Sequence, residues 1–566
     1  MPDPNEVRAQ LTGPGGAFEV VVEDVAGRPT EVYKDRMRAL REIAAIALGR
    51  GDEQPFIVYG DRRIGFTTFV ETANSVSTGL REGFGLVPGD RVAVLAQNCP
   101  EWCLSFWGTV NVGGILVGLN GWWTADEIIY GLQDSGAKVL IADAKRFERI
   151  AADLDQCPDL EAVFLIDADP AVVDPANPQL HRFDELTGTP SATLPDVAIA
   201  EDDPAVILYT SGTTGRPKGA IGTHRNLIAN LQNTFFSSIY SAMTAVDPPP
   251  AREGQNVALF TSPLFHVSGL HSTLVTGLLA GLRLVMVEGR FDPEKALELI
   301  EREQVAIWAT VPTMVWRVCE HPNRHDYDTS SVTTVAFGGS PSADELQRKV
   351  RETFPSVRGA SNVYGLTESS SAATILSPAE AGARPDSVGR PVPTVQIRVV
   401  APEGEAGEIL IKGPTIMPGY WNTPEETAKT VDSDGWLHTG DIGMIDDEGY
   451  LTITDRAKDM IIRGGENIYC VEIENRLVEH PSIADAAVIG VAHPTLGEEV
   501  KAFVQVEPGE SITEDEVRAW VGETLAPFKV PAFVHLQDDK LPRNASGKLL
   551  KNVLRGEGHV TFAETM

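Results

Sequence analysis

An α/β fold is predicted for this chain: a large N-terminal domain of mixed sheets with covering helices, followed by a small α+β domain. Three observations predict it. Short apolar, β-branched runs recur between amphipathic stretches, capping residues mark helix starts between the runs, and the texture of the sequence changes near residue 455.

The runs are RVAVLAQ (91–97), AKVLIAD (137–143), AVFLID (162–167), NVALFTS (256–262), LRLVMVE (282–288) and TVAFGGS (334–340). Parallel strands covered on both faces read as continuous apolar segments of this length. Helix starts are expected at Asp292-Pro293, at Ser342 with Glu345, and at Thr423 with Pro424 and Glu426, where a capping oxygen meets a first-turn proline or an acid three residues on. The Pro-rich stretch 168–204 and the PPP at 248–250 read as surface connections. After DRAKDMIIRGGENIY the last hundred or so residues read as two βα-like units and a charged tail. The domains are therefore expected at 1–455 and 456–566.

With 42% hydrophobic and 22% charged residues in 566, the chain can bury a large core. Lys plus Arg number 47 against 80 Asp plus Glu; the net charge of −33 repels nucleic acid and anionic membranes, so an anionic ligand needs a local positive site. Cys99, Cys103, Cys157, Cys319 and Cys470 show neither CxxC pairs nor secreted-domain spacing and read as reduced thiols of a cytoplasmic protein. The N-terminus lacks a basic segment running into an apolar one, and no run is long and apolar enough for a membrane span, so neither targeting nor integral membrane association is expected. His321 and His325 have HxxxH spacing, but Pro322 between them argues against a zinc-binding helix.

The segment ILYTSGTTGRPKGAIGTH (207–224) is built for an anion. Thr210, Ser211, Thr213 and Thr214 offer hydroxyl donors, Gly212 and Gly215 let backbone amides approach a ligand, and Arg216 and Lys218 supply charge. The Walker A loop does not match, because Pro217 precedes Lys218 and Gly219 follows it. No Ser or Thr is then placed to ligate magnesium, and a P-loop kinase or ATPase loses its main support.

YTSGTTGRPKG resembles the signature of the adenylate-forming superfamily, which holds acyl-CoA synthetases, peptide-synthetase adenylation domains and beetle luciferases. NVYGLTES (362–369), TGD (439–441), DRAKDMIIRGGENIYCVEIE (455–474) and PRNASGKLLK (542–551) resemble further family elements, in family order. The resemblance implies that the 210–218 loop wraps the β and γ phosphates of ATP, Thr367 meets the α-phosphate and Glu368 holds Mg²⁺. It also implies that Gly338, Gly339 and Ser340 lie along the adenosine, that Asn362, Tyr364 and Gly365 meet the adenine end, and that Asp441 with Arg456 takes the ribose. Lys548 would touch both the substrate carboxylate and the α-phosphate. The small domain would then rotate about a hinge at 456–459, at Lys458, and present Gly464, Gly465 and Glu466 to a thiol. The glycines could equally serve as a tight turn.

Two features of the resemblance bear on substrate. Peptide-synthetase domains carry Phe-Asp after the strand that is NVALFTSP here, and this chain has Phe265-His266, so the carboxylate that would pair with an α-amino group is missing. His266 resembles the residue that closes over the acyl carboxylate, although a histidine on an apolar stretch also suits a hydrogen-bonded core. Val267, Leu270, Trp308, Val311 and Pro312 could line an acyl tunnel or be plain core. The chain runs about twenty residues beyond Lys548 without a carrier domain, so a freestanding thiol, coenzyme A, is the expected acceptor. The resemblance implies an AMP-forming carboxylic acid–CoA ligase, of fatty or other acyl type. Loading of a carrier protein and a non-catalytic nucleotide-binding homologue are the alternatives, and oligomeric state stays open, a homodimer included.

Overall fold

The computed structural model describes residues 3–167, 179–188, 190–210, 216–245, 254–338, 344–357, 359–384, 386–402, 405–456, 459–463, 466–543 and 549–556. At 344, 345, 379, 456, 466 and 467 it describes the backbone alone.

All six apolar runs form strands, and each pairs in parallel with its neighbours. They fall into two sheets. One has seven strands in the order Lys218–Thr223, Pro204–Thr210, Ile115–Gly118, Arg91–Leu95, Val139–Asp143, Ala162–Ile166 and Leu180–Arg182. It is parallel except for the hairpin at its edge, where Pro204–Thr210 turns back into Lys218–Thr223. The other has thirteen strands. Its parallel section runs Ser361–Tyr364, Thr334–Gly338, Ile307–Thr310, Val257–Phe260, Arg283–Met286 and Pro55–Tyr59. An antiparallel section continues past Ser361–Tyr364 through Leu437–Ile445 to Gln396–Val400.

The two sheets share one core. Val94, Leu116 and Leu208 of the first join Phe260, Leu284 and Met286 of the second around Trp102 and Trp107. The helix Pro100–Val110 that carries those indoles is buried at all eleven residues, as an apolar helix held between two sheets must be. Parallel strands covered on both faces explain why these segments read as unbroken apolar runs.

The antiparallel section includes Leu451–Arg456; the next strand, Ile461–Arg463, belongs to a separate five-stranded sheet with its own core of Ile473, Leu477, Val488, Val504, Val517 and Val521. The expected pair of βα-like units is corrected there. The helix Cys470–Val478 leads into a long antiparallel hairpin, Ile483–His493 with Gly497–Val506, before the helix Glu514–Gly522 and the strand Phe533–Gln537. Two further readings change. Within 168–204, Leu180–Arg182 is a sheet-edge strand, and Phe183 is buried together with Leu186 of the short helix Asp184–Thr187 that follows it. Thr423 does not cap the helix Pro424–Thr430 with its side chain; its hydroxyl donates to Trp421 O at 3.2 Å, and Glu426 is drawn to lysines instead. Asp292 caps as expected, while Ser342 and the PPP lie outside the described residues. All five cysteines are buried and unbridged. Among the described residues no helix is long and apolar enough to cross a membrane.

Candidate active site

Parallel strands point one way, so the ends at Phe260, Thr310, Gly338 and Tyr364 open onto one edge, where open α/β sheets bind ligands. Gly338 has to be small: a Cβ there would stand 2.6 Å from Val363 O on the next strand. Beside it, Trp308 Nε1 donates to Thr261 Oγ1 at 3.0 Å and Thr261 Oγ1 donates to Thr310 Oγ1 at 2.9 Å, tying two strand ends together. Trp308 and Leu270 are fully buried core residues.

Past Tyr364 the chain makes a tight turn. Gly365 packs against the returning backbone, Ser371 N donates to Leu366 O at 3.1 Å, and Ala373 N donates to Tyr364 O at 2.8 Å. Ser370 and Ser371 take φ of 54° and 101°, the left-handed region that side chains avoid, and each such residue costs roughly 1–3 kcal/mol. Their surroundings hold them there. Ser371 Oγ bonds Ser272 Oγ at 2.6 Å, and His271 Nδ1 lies 3.3 Å from Ser370 O. The turn thereby presents Thr367 and Glu368, both half-buried.

Two of the expected nucleoside residues touch each other: Tyr364 donates its hydroxyl to Asp441 Oδ2 at 2.9 Å, and both are almost fully buried. Asn362 spends an amide hydrogen on Ser387 O at 3.3 Å. Asp441 sits on Leu437–Ile445, in register with Arg456.

Lys218 is in register with Thr210 at the mouth of the edge hairpin. Its ammonium pairs with Glu426 and lies 5.3 Å from the centre of the Tyr420 ring. Tyr420 donates its hydroxyl to Glu368 Oε1 at 2.7 Å, and Met417 N donates to Glu368 O at 2.9 Å. A continuous polar chain, Glu426–Lys218–Tyr420–Glu368, therefore links the hairpin to the turn. The hydrogen bond from Lys218, then that from Lys429, brings the Glu426 carboxyl down to about 2. Burial and the Glu368 charge push the Tyr420 phenol up, which keeps it a donor. Arg216, the other cation, stacks 5.1 Å from the centre of the Tyr130 ring.

His266 caps the short helix Val267–Gly269, with Nδ1 3.2 Å from Ser268 Oγ. His271 and His224 are enclosed more completely, and burial pulls both imidazoles down to about 4 from 6.5. The unfolded chain thus binds more protons than the folded one between those values, and stability is lost as pH falls through the window. Thermal melting from pH 7 to pH 4.5, in steps of about half a unit, should show the midpoint falling, with a shallower slope in a His224→Gln, His271→Gln variant. An identical slope in the variant would contradict these placements.

Ser211, Gly212, Thr213, Thr214, Gly215, Gly339, Ser340, Lys458, Gly464, Gly465 and Lys548 lie outside the described residues, and only the backbone of Arg456 and Glu466 is described. The chain on both sides of 544–548 is fixed. Arg543 bonds both oxygens of Asp485 at 2.9 and 2.7 Å and bridges to Leu549, while Lys551 Nζ stands 2.8 Å from Glu474 Oε1. Sequence reasoning missed Tyr420 and His271, and took Glu426 only for a helix-start acid. Their partners lie 52, 99 and 208 residues away, and no local spacing marks such pairs. Among the described residues no three His, Cys, Asp or Glu side chains cluster to hold a metal.

A family model described as AMP-binding enzyme matches residues 45–421, and one for the AMP-binding enzyme C-terminal domain matches 472–548. The chain is 36% identical over 498 residues to a feruloyl-CoA synthase of Amycolatopsis sp, covering 86% of this chain and 93% of that protein. It is 32% identical over 550 residues to a long-chain-fatty-acid–CoA ligase of Bacillus subtilis, covering 92% and 94%. Among solved structures, the anthranilate CoA ligase AuaEII in complex with anthranoyl-AMP superposes with a TM-score of 0.81 at 26% identity, covering 92% of this chain and 97% of that one.

Proposed function

The chain belongs to the AMP-binding enzyme family, and from that premise we propose that it is an acid–thiol ligase joining a carboxylic acid to coenzyme A through an acyl adenylate. In the first half-reaction a carboxylate oxygen attacks the α-phosphorus of ATP and pyrophosphate leaves. In the second the CoA thiol loses its proton, its sulfur attacks the acyl carbon, and AMP leaves with the electrons of the broken C–O bond.

The observation that carries this reading is the convergence, at one sheet edge, of the Tyr364–Asp441 pair with the Glu368–Tyr420–Lys218 chain. Asp441 offers acceptors for ribose hydroxyls, and the Tyr364 ring an aromatic surface for adenine. Bringing a carboxylate to a triphosphate sets anion against anion, so the site has to supply positive charge where the phosphates lie. Lys218 supplies it, the hydroxyl-rich segment 210–215 adds hydrogen-bond donors, and Thr367 stands at the α-phosphate. Lys218 is held by Glu426 until the phosphates arrive, and exchanging one anion for another keeps the ammonium paired throughout.

The donor set also suits Mg²⁺. Glu368 engages Tyr420 through Oε1, and among the described residues it joins no cluster of three His, Cys, Asp or Glu side chains, as expected for an ion that takes its remaining oxygens from phosphates and water. Bound there, the ion would neutralise phosphate charge. Lys548 guides the carboxylate in the first half-reaction. Residues 456–566 then turn about 456–459, at Lys458, and bring Gly464, Gly465 and Glu466 to the thioester step. In support, the chain passes between Arg456 and Ile461 from one sheet to another.

The acid is one without an α-amino group, since Phe265-His266 offers no carboxylate to pair with an ammonium. Acid-dependent AMP release, scored over aryl-propenoic, fatty, steroid-derived and α-amino acids with ATP, Mg²⁺ and CoA, tests this directly. Turnover is expected within the first three classes, and α-amino acids as the best substrates would contradict the reading.

A further inference from the structure

We propose that Glu408 is a positioning residue for Asp441: its carboxylate holds the strand bulge that sets the Asp441 side chain against Tyr364 and the ribose. The proposal rests on the ligase reading above, in which Asp441 accepts from the ribose hydroxyls.

Strand Leu437–Ile445 pairs with Gly407–Lys412 on one side. Glu408 faces Ile442 and Leu410 faces His438, so two steps along one strand match four along the other. Thr439, Gly440 and Asp441 stand opposite Ile409 alone, a surplus of two residues, and bulge from this ladder. A second irregularity, against Leu451–Arg456, falls directly after them, between Ile442 and Gly443. Bulges leave backbone groups without ladder partners, and they re-aim side chains next to functional sites. Gly440 takes φ of +68° to make the excursion.

Side chains replace the lost ladder bonds. Gly440 N donates to Glu408 Oε1 at 3.2 Å, while Glu408 Oε2 stands 3.1 Å from His438 Nδ1, so one carboxylate clamps both ends of the step into the bulge. Thr439 Oγ1 donates to Ile409 O at 2.7 Å and accepts from Asp441 N at 3.0 Å. On the Gly407–Lys412 side Asp441 is thus placed by two polar side chains in place of ladder pairing, while on the other side it keeps its register with Arg456. With its side chain one-third exposed, Glu408 contributes little as a surface ion pair; its effect lies in the angle at which Asp441 meets Tyr364. Without it, Gly440 can swing toward water and carry Asp441 off line.

The test compares kcat/KM for ATP and for its analogue lacking the ribose 2′-hydroxyl. The unaltered protein should favour ATP, because a buried acceptor left without its donor is costly. Glu408→Ala should cut that preference about tenfold, the size of one lost hydrogen bond to a charged acceptor, and do so through the KM for ATP more than through kcat. Glu408→Gln keeps an acceptor for Gly440 N and an N–H for His438, and should recover most of the preference. A folded Glu408→Ala protein with an undiminished preference overturns the proposal and leaves the ligase reading standing. No acid-dependent AMP from the unaltered protein with either nucleotide would sink both. Should Glu408→Ala fail to fold, Thr439→Val, which removes the other support of the same bulge, is expected to lower the preference likewise, and an unchanged ratio there overturns the proposal.

Discussion

Lys548→Ala is expected to lower acid-dependent pyrophosphate release by at least about 10² to 10³-fold, the usual loss when one charge-stabilising donor is removed from a transition state. Thioester formation from supplied acyl-AMP and CoA should be spared, because in that step AMP leaves from an anhydride already made. The next lysine in the described chain provides the contrast. Lys551 is buried against Glu474, and burial, the largest single influence, would lower its ammonium, but Glu474 together with Cys470 and Asp455 outweighs it and pushes the group up. Glu474 Oε1 also accepts from Val488 N at 2.7 Å, so this pair staples the terminal helix Lys551–Leu554 to the small domain. Lys551→Ala strands a buried carboxylate and should cost about 3 kcal/mol of stability with a lesser effect on rate per folded molecule. Stopped assays of the two half-reactions, with denaturant unfolding of both variants, separate the cases. Equal loss of both half-reactions in Lys548→Ala contradicts its assignment to the first.

Gly365→Ala is the second large effect expected. A Cβ at this position would stand 1.5 Å from Ser371 O and 2.6 Å from Ser371 C, backbone atoms that cannot rotate away. The turn has little slack, because Ser370 and Ser371 already occupy left-handed backbone and are pinned through Ser272 and His271. Either the turn holds and the protein loses roughly 3 kcal/mol or more, or it opens and displaces Thr367 and Glu368. A shift of about 1 Å there is worth around 10²-fold in adenylation rate. Denaturant unfolding together with acid-dependent pyrophosphate exchange measures both routes. Wild-type values in both assays would mean that Gly365 is not packed as described.

The parallel strands were legible because burial on both faces leaves a strand no polar face to show: RVAVL and VLIAD could hardly be anything else. The strand Leu180–Arg182 was not, since an edge strand of three half-buried residues carries neither an apolar run nor alternation. The cap expected at Asp292 forms, and the one expected at Thr423 does not. A capping pattern states what the helix can accept, while Lys218, far off in sequence, decides what Glu426 does. In the candidate site, Tyr364, Glu368 and Asp441 were singled out through segments whose order resembles a family. That Tyr364 bonds Asp441, that Tyr420 bonds Glu368 and that Glu408 bonds the Gly440 amide are products of tertiary contact between segments 77, 52 and 32 residues apart. A two-residue register slip leaves no mark in composition or periodicity.

The central claim is that a carboxylate oxygen is transferred to the α-phosphorus of ATP before any thiol is engaged. Incubating the protein with ATP, Mg²⁺, CoA and an accepted acid whose carboxylate carries heavy oxygen, then weighing the AMP by mass spectrometry, tests it most directly. One labelled oxygen in each AMP is the predicted result; unlabelled AMP, or label recovered in inorganic phosphate alongside ADP, would contradict it.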